Sequence, residues 1–359
     1  MSHPLVRLSV IVPAYNCAAF LDRSLTALAR SSFRDYECIV VDDASTDHSR
    51  DVAAKHGVRL LALGSNGGPA RARNRAAEQA RGEILVFIDA DVCVHPDTLG
   101  RIDAHFRAHP QVEALMGSYD DTPAHRGFVS QYKNLFHHYV HQTSRSQAWT
   151  FWAGCGAIRR PLFLQFHGFD ESYRRPCIED IELGFRLAAS GHRIDLEPAV
   201  QVTHLKRWTL WNLLRTDVRD RGIPWFLLML RDRTMPADLN VTRTHRLSVL
   251  LVFALVAVAG VALAEPWLPR WLPATLPLRP IAAGALAALA AALFSLNYDF
   301  YRFFLRKRGL LFTAGVLPLH WLYYLYCGVA VGAALTLHLW DRVTARRLRW
   351  QLSVPPAAR

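Results

Sequence analysis

The sequence has few cysteines, and they form no recognisable pattern. The chain of 359 residues has six, at Cys17, Cys38, Cys93, Cys155, Cys177 and Cys327, with no C-x-x-C pair and no histidine at metal-ligand spacing. This absence argues against a structural zinc site and against a disulfide framework. A reducing cytosol fits such cysteine usage best.

Acidic residues are also in short supply. The 30 Asp and Glu residues face 42 Lys and Arg residues, so the formal net charge at pH 7 is +12. A chain this basic admits nucleic acid, an anionic membrane surface or a phosphorylated ligand as a partner. Charge alone does not choose between them.

The N-terminus lacks the features of a signal peptide. The stretch "MSHPLVRLSVIVPAYN" has too short an apolar core and no small-residue cleavage site, so we expect the chain to begin inside the cell. The composition is not that of a disordered chain either, because 51% of the residues are hydrophobic. This content allows one large domain or two modest ones.

The first 206 residues predict an α/β domain, in which short β-branched runs alternate with Ala/Arg-rich stretches of helical periodicity. Strands are predicted over residues 8–15, 37–43, 58–63, 83–90 and 112–119, and helices over residues 18–30, 45–56, 68–81 and 96–108. This alternation is typical of a doubly wound, mostly parallel sheet. Ligands of such sheets bind at the carboxyl ends of the strands, where the helix N-termini also point.

Long uncharged runs begin near residue 245. They cover residues 247–264, 281–296 and 310–340. The first run approaches the roughly 20 residues needed to cross about 30 Å of hydrocarbon, and the others match it with their flanks. Buried core helices are the alternative, but these segments have no polar face to offer water. We therefore predict a transmembrane region over residues 246–340, followed by a basic tail over residues 341–359.

The number of membrane crossings stays open. The loop expected at residues 302–308 is strongly basic and therefore expected to be cytoplasmic. Three crossings from a cytoplasmic N-terminal domain would place the basic tail outside, against the positive-inside rule. Either the last segment, broken at Pro318, is partly interfacial or re-entrant, or the tail is an exception.

Residues 207–245 link the two regions. Within them, apolar side chains recur roughly at helical spacing while arginines occupy other faces. The apolar positions are Trp208, Trp211, Leu214, Val218 and Ile223, and the basic ones are Arg215, Arg219 and Arg221. This pattern predicts an amphipathic helix lying in the bilayer interface, and an ordinary amphipathic helix on the domain is the alternative.

Two carboxylates, Asp89 and Asp91, follow the fourth predicted strand. In an extended chain, residues two apart point to the same side, so these groups would project together about 6–7 Å apart, or closer if the strand bends. Such a pair needs a cation, and a hard ion such as Mg²⁺ or Mn²⁺ takes one or two carboxylates together with water and substrate phosphates. We predict a metal site at the strand tip, although a lone D-x-D also occurs by chance.

Other strand ends supply complementary groups. Pro13 ends the first strand, and Tyr15 offers a ring that could stack on a base. The second strand ends in Asp43, whose carboxylate could accept hydrogen bonds. Residues 64–74 combine an adjacent pair of glycines at 67 and 68, which permits close backbone approach, with arginines beside a helix N-terminus. Together these strand ends predict a pocket for a nucleotide diphosphate.

The stretches "LSVIVPAYN", "CIVVDDASTD", "NGGPARARN", "FIDADV" and "CIEDIELGFRL" occur in this order. As a set they resemble glycosyltransferase family 2, whose catalytic domain has the GT-A fold, and the resemblance covers about residues 7–210. It implies inverting transfer of a sugar from a nucleotide sugar, usually UDP- or GDP-linked, with Mg²⁺ or Mn²⁺ as the cofactor.

The resemblance also implies roles for individual positions. Nucleotide binding would fall to Pro13, Tyr15, Asn16, Asp43, Gly67, Arg73 and Asp89. Asp91 would ligate the metal together with Asp89, and Asp180 would be the catalytic base with Glu179 beside it. Inversion by a single displacement indeed requires a carboxylate to take the acceptor proton and a metal to stabilise the departing diphosphate. Favourable charge at a helix N-terminus is the alternative explanation for Asp180.

Two further groups are candidates. Trp152, Gly154, Cys155 and Gly156 form a stretch suited to contact with the sugar or the acceptor, or alternatively a tight strand bend. His204 could be a third metal or diphosphate ligand, as a histidine is at a similar place in parts of the superfamily, or a surface histidine.

The sequence departs from two branches of the family it resembles. Polyprenyl-phosphate sugar transferases usually continue the acidic motif as Asp-Ala-Asp-Leu-Gln, whereas this chain has "DADVCVHP". Processive polysaccharide synthases carry a Gln-x-x-Arg-Trp motif, of which "LKRWTLW" retains only a fragment. Both branches are therefore disfavoured, without excluding a lipid acceptor.

We expect an integral membrane protein, of the bacterial inner membrane, whose cytoplasmic domain transfers one sugar to a hydroxyl of a lipid or lipid-linked acceptor. A polysaccharide synthase and a non-catalytic nucleotide-sugar-binding membrane protein are the alternatives. Nucleic acid is not an expected partner, because the arginines cluster at the phosphate pocket and the membrane flanks.

Overall fold

The computed structural model describes residues 6–236, 239–265 and 278–344. Its contacts divide the chain into two compact units, with the boundary between Leu239 and Asn240. The first unit contains a nine-stranded sheet with helices on its faces. The described part of the second unit, which extends to Leu337, is helical.

The first part of the sheet has the predicted alternation of strands and helices. Its elements are β1 (Leu8–Ala14), α1 (Ala18–Ala29), β2 (Tyr36–Asp42), α2 (Ser49–Lys55), β3 (Arg59–Ala62), α3 (Pro69–Gln79) and β4 (Ile84–Ile88). The strands are parallel in the order β3-β2-β1-β4. Helix α2 begins later than predicted because Asn16 and Asp47 accept hydrogen bonds from the backbone N–H groups of residues 46, 47 and 49, which favours a loop over a helical turn.

The second part of the sheet is mixed. Its elements are β5 (Val92–Val94), α4 (Thr98–Ala108), β6 (Ala114–Tyr119), α5 (Phe128–Thr143), β7 (Gln147–Ala148), β8 (Cys155–Arg159), α6 (Arg160–Gln165), α7 (Glu179–Ala189) and β9 (Ile194–His204). Strand β8 is antiparallel to β4 and β6, and β9 is parallel to β6 but antiparallel to β5 and β7. The predicted α/β fold is confirmed. Among the described strands, neighbours are parallel from β3 through β2 and β1 to β4, and again between β6 and β9, whereas the other pairs are antiparallel.

A hydrophobic cluster packs on each face of the sheet, and strand β4 is buried between them. Phe87 contributes an aromatic contact to Phe151, Phe163 and Phe169, with ring centroids 5.1–6.2 Å apart. Burial of each such side chain stabilises the fold by about 1.5–3 kcal/mol. The end of β4, where the acidic residues follow, is therefore fixed by a rigid core.

A continuous helical segment follows β9 and belongs to the first unit. It consists of α8 (Leu210–Arg215), a π-helical segment (Thr216–Gly222) and α9 (Ile223–Asp232). Leu213 and Leu228 are fully buried in it, whereas Trp211, one of the predicted apolar positions, is 75% exposed. Its placement in a bilayer interface stays a prediction.

The second unit contains α10 (Arg243–Ala264), α11 (Leu278–Leu296), α12 (Tyr298–Arg308) and α13 (Leu310–Thr344) up to Leu337. By length and composition α10, α11 and α13 could each cross a membrane. Hydrogen bonds from the Asn297 amide to the Ser248 hydroxyl (3.0 Å) and from the Tyr324 hydroxyl to Asn297 (2.6 Å) join these helices. Such polar contacts stabilise helix association in hydrocarbon, where apolar burial does not.

Two expectations for this unit are wrong. Residues 302–308 are not a loop but the greater part of α12, because Tyr301 and Phe304 form a buried helical face opposite exposed basic residues. Helix α13 is not broken at Pro318, which lies inside one continuous helix. Proline is tolerated inside membrane helices where neighbouring groups satisfy the freed carbonyl.

Candidate active site

The carboxyl ends of β1, β2 and β4 open into one cavity of about 640 Å³. Its wall includes eleven of the predicted site residues, from separate stretches of the sequence: Pro13, Tyr15, Asn16, Asp43, Arg73, Asp89, Asp91, Trp152, Glu179, Asp180 and His204. The fold therefore brings together most of the residues that the sequence singled out.

Four predicted residues, Gly67, Gly154, Cys155 and Gly156, are not among the described residues of the cavity wall. Cys155 and Gly156 lie inside β8, and burial raises the pKa of the Cys155 thiol to about 12. A Cβ atom on Gly154 would lie 2.7 Å from the Trp152 indole, so that glycine makes room for the ring. Of the predicted acceptor-side stretch, only Trp152 borders the cavity.

At one end of the cavity, the Tyr15 ring is half exposed and Asp43 is buried behind it. The Asp43 carboxylate accepts hydrogen bonds from the backbone N–H groups of Gly67 (2.9 Å) and Gly68 (2.8 Å). Gly68 has φ +89°, and a Cβ atom there would lie 2.5 Å from the Arg174 carbonyl oxygen. Asp43 thus holds a glycine loop that only residues without a side chain can form.

Strand β4 ends at Ile88 and the chain then turns, so Asp89 and Asp91 follow a bend and not a straight strand. The Val92 N–H donates to the Asp89 carbonyl (3.0 Å), and this closes a tight turn. The two carboxylates have different partners: Asp89 accepts from Arg73 (2.6 Å), whereas Asp91 faces His204. Both still border the cavity.

Arg73, expected to bind the nucleotide, is a buried link between two parts of the site. Its guanidinium donates to Asp89 and also to Glu179 (2.9 Å), the first residue of α7. Burial lowers the pKa of Arg73, but these two carboxylates raise it above its usual value, so the group stays charged. Burial raises the pKa of Asp89, and Arg73 offsets part of that rise.

Asp91 and His204 form a pair that calls for a cation. The Asn134 amide nitrogen donates to the Ser130 carbonyl (2.9 Å), so its oxygen faces His204 and accepts from Nδ1 (2.8 Å). In a neutral imidazole the other nitrogen, Nε2, then carries a lone pair, and it lies 3.4 Å from an Asp91 oxygen. His204 Nε2 and the Asp91 oxygen are then two hydrogen-bond acceptors in contact, so a proton or a metal ion must lie between them. Histidines that bind metals typically have their other ring nitrogen held by a hydrogen bond, as Nδ1 is held here by Asn134.

The donor set fits a divalent ion that also binds substrate. Burial would raise the pKa of Asp91, but a proton on His204 Nε2, one of the two ways to satisfy this pair, lowers it below its usual value together with Lys206, so the carboxylate is ionised. In the part of the chain that the structure describes, no three His, Cys, Asp or Glu side chains converge as a complete metal site. Asp91 and His204 would supply the protein ligands, and Mg²⁺ or Mn²⁺ would complete its shell with water and phosphate oxygens.

Asp180 has the properties of a general base. One carboxylate oxygen accepts from the Ala153 N–H (3.0 Å), and the residue borders the cavity. Burial and the neighbouring Glu179 raise the pKa of Asp180 to about 6, against the opposing effect of Arg73. A carboxylate of this pKa is mostly ionised at pH 7 yet basic enough to accept a proton. Glu179, held by Arg73 and by the Cys177 N–H (2.9 Å), supports this arrangement.

Several wall residues were missed by the sequence analysis as members of the site. They are Lys133, Asn134 and His137 of α5, and Lys206, Arg215 and Arg221 after β9. Burial and nearby positive charges lower the pKa of His137 well below its usual value, so it is neutral. A polar stripe on the otherwise buried α5 was the available signal for the first three.

Comparisons with known proteins found glycosyltransferases among the similar sequences. Residues 9–165 match the family model described as Glycosyl transferase family 2. Validoxylamine A glucosyltransferase from Streptomyces hygroscopicus subsp. jinggangensis is 31% identical over 220 residues, which cover 51% of this chain and 52% of that protein. Poly(ribitol-phosphate) beta-N-acetylglucosaminyltransferase TarS from Staphylococcus aureus is 35% identical over 112 residues, covering 29% and 20%. The matches thus span about half of the first relative and a fifth of the second.

The fold is similar to that of a solved enzyme. The mannosyltransferase PcManGT from Pyrobaculum calidifontis, in complex with GDP-Man and Mn²⁺, superposes with a TM-score of 0.55 at 24% identity. The match covers 94% of this chain and 88% of that one, and it establishes a GT-A fold. By this match, residues 9–165 are similar to glycosyl transferase family 2.

Proposed function

We propose that this chain is an inverting glycosyltransferase. It moves a sugar from a nucleotide-diphosphate sugar, UDP- or GDP-linked, to a hydroxyl of a lipid or lipid-linked acceptor at the cytoplasmic face of a membrane. The observation that carries the proposal is that one cavity contains two kinds of group. One is the Asp180 carboxylate, whose pKa is raised to about 6, and the other is the pair of Asp91 and His204, which needs a proton or a metal ion between its members.

The residues of the cavity divide the reaction between them. The acceptor oxygen attacks the anomeric carbon, its proton passes to the Asp180 carboxylate, and the bond from that carbon to the diphosphate oxygen breaks. The electron pair of the broken bond stays on the diphosphate. A divalent ion held by Asp91 and His204 would stabilise this developing charge. Arg73 donates hydrogen bonds to Asp89, in the turn after β4, and to Glu179, the first residue of α7 and the neighbour of Asp180. These bonds fix the turn and the start of α7 relative to each other.

The relatives support the donor class. Two of them are named as a glucosyltransferase and an N-acetylglucosaminyltransferase, and the solved mannosyltransferase contains GDP-Man and Mn²⁺. The half-exposed Tyr15 ring offers a stacking surface of the kind that a nucleotide base uses.

A lipid acceptor is supported by the hydrophobic parts of the chain. Three helices are apolar enough to cross a membrane, and Leu210 and Trp211 of α8 expose 45% and 75% of their surface beside basic residues. Exposed tryptophan next to arginine is typical of segments that contact the membrane interface.

The test is a transfer assay on membranes that contain the full chain. Radiolabelled UDP-, GDP- and dTDP-sugars are supplied with membrane lipid extract, and label entering the organic phase is measured with and without EDTA. We expect divalent-dependent label that Asp180→Asn abolishes while donor binding survives. Wild-type label in that variant would refute the base assignment. Long polymeric products would indicate a polysaccharide synthase, and donor binding without transfer would indicate a non-catalytic protein.

A further inference from the structure

Helix α12 is too short to cross a membrane, but it lies between two helices that are long enough. Its 11 residues extend about 16 Å, whereas the hydrocarbon layer is about 30 Å thick. A single residue separates α12 from each neighbour, Asn297 on the side of α11 and Gly309 on the side of α13. If α11 and α13 cross the bilayer, as their length and composition allow, α12 must lie at its surface.

One face of α12 is fixed by contacts with both of these helices. The ring centroid of Phe300 lies 4.0 Å from that of His320 in α13, and the Tyr301 ring stacks on Phe294 of α11 at 5.1 Å. Phe304, one turn after Phe300, is fully buried. Because the contacts reach α11 and α13 at once, they fix the rotation of α12 about its own axis. The opposite face of the helix is therefore presented outward.

The outward face of α12 contains two arginines, Arg302 and Arg306. Both are exposed, and neither makes an ion pair or a side-chain hydrogen bond with any residue that the structure describes. They are one helical turn apart, so their Cβ atoms lie about 5–6 Å from each other. Tyr298 and Leu305 are exposed on the same stripe, which places apolar surface beside the two charges. Asp299 is exposed one turn before Arg302 but forms no ion pair with either arginine.

Helix stability does not account for both arginines. Cations in the last turn of a helix interact favourably with its dipole, and this explains Arg306, Lys307 and Arg308. Arg302 lies in the middle of α12, where the effect of the dipole has faded. Two guanidinium groups one turn apart, next to exposed apolar side chains, are suited to an anion that is itself attached to hydrocarbon.

We propose that Arg302 and Arg306 form a binding site for the headgroup phosphate of one anionic phospholipid. The two guanidinium groups donate hydrogen bonds to the phosphate oxygens, and Tyr298 and Leu305 contact the adjoining part of the acyl chains. The occupant is a lipid and not a soluble anion, because the site lies between two helices apolar enough to cross a bilayer. The inference does not depend on the proposed function, since these residues belong to the second unit and none borders the cavity of the candidate active site.

The test measures lipid binding to the full chain. The protein is purified in a nonionic detergent and titrated with dioctanoyl phosphatidylglycerol, and native mass spectrometry gives the Kd of the first bound lipid. Dioctanoyl phosphatidylcholine, which has the same chains but no net charge, and glycerophosphate, which has no chains, are titrated in parallel. The variants are Arg302→Gln, Arg306→Gln and the double variant. Lys307→Gln is the matched control, because it removes the same charge from an exposed position on a different face of α12.

We expect each single arginine variant to raise the Kd for phosphatidylglycerol about fivefold. The double variant should raise it about tenfold, which is less than the product of the single effects, because both arginines contact one phosphate. Lys307→Gln should bind as the wild type does. Arg302→Lys and Arg306→Lys, which keep the charge but lose the planar fork, should fall between the wild type and the glutamine variants. Since both arginines are exposed, the melting temperatures should not change.

Four results would overturn the proposal. Equal losses in all three glutamine variants would show a diffuse positive surface and no discrete site. A double variant whose loss equals the product of the single losses would show two separate sites. Phosphatidylcholine or glycerophosphate binding as tightly as phosphatidylglycerol would show that the ligand is not an anionic lipid. An unchanged Kd in both arginine variants would show that these side chains do not bind the headgroup.

Discussion

The raised pKa of Asp180 predicts how transfer depends on pH. A base with a pKa of about 6 is roughly 90% ionised at pH 7 but only about 10% at pH 5. Since only the carboxylate can accept the acceptor's proton, kcat/KM should fall about tenfold per pH unit below pH 6. The pH profile of kcat/KM for the donor, measured with excess acceptor, reports this group in the free enzyme.

Replacing Glu179 by Gln moves this profile in a direction that the structure determines. The pKa of Asp180 is raised from its usual value of 3.8 to about 6, first by burial and second by the negative charge of Glu179. Its charge disfavours the ionised form of Asp180, so removing it lowers the pKa and shifts the acid limb to lower pH. We expect a shift of roughly half a unit to one unit. At pH 5 the variant would then be several-fold more active relative to its own maximum than the wild type is.

The control is Glu78→Gln, an exposed carboxylate paired with Arg75 on the surface of α3. It should leave the profile unchanged. An acid limb that stays in place in Glu179→Gln, or moves to higher pH, would contradict the electrostatic account of the site. A wild-type profile that is flat down to pH 4.5 would show that Asp180 is not the base.

Three further substitutions test other parts of the site. Asn134→Ala should raise the Mn²⁺ concentration for half-maximal activity by roughly 10–100-fold, because His204 loses the acceptor that orients it; an unchanged metal titration would contradict this. Gly68→Ala should destabilise the fold by roughly 1–3 kcal/mol, measured by denaturant unfolding, because φ is +89° and the Cβ atom would contact backbone. Gly64→Ala, where the Cβ atom meets no neighbour within 4 Å, is its control. Arg73→Met should cost roughly 3–5 kcal/mol, since it leaves two carboxylates without their shared cation, and a smaller loss than that of Gly68→Ala would refute the bridging role.

The parallel half of the fold was predictable because its signals are local. Each strand there is a short apolar run ended by a polar group, and parallel strands put those ends at one edge. Tyr15, Asp43 and Asp91 could therefore be assigned to one pocket before any contact was known. The way in which the Asp89 and Asp91 side chains point could not be predicted in this manner. It depends on the turn that follows Ile88, and the alternation of strands and helices does not indicate where β4 ends.

Residues brought in from outside the strand ends escaped the sequence analysis for a different reason. Asn134 lies at the site because α5 packs beside β6 and β9. Arg221 lies there because the buried ion pair between Lys133 and Asp217 fixes the orientation of the π-helical segment. Neither position has a periodicity that marks it as part of a site. Arg73 shows the converse, since its motif predicted phosphate binding whereas the tertiary contacts pair it with two carboxylates.

The length of α13 has a consequence for the membrane. Its 35 residues extend about 52 Å at 1.5 Å each, whereas the hydrocarbon layer is about 30 Å thick. Even at a tilt of about 40° a crossing helix would exceed that layer by roughly 10 Å. With the charged Asp341 and Arg342 at one headgroup level, the opposite end near Leu310 must project past the other. The end of such a crossing helix that leaves the hydrocarbon would be followed back along the chain, across Gly309, by the basic end of α12.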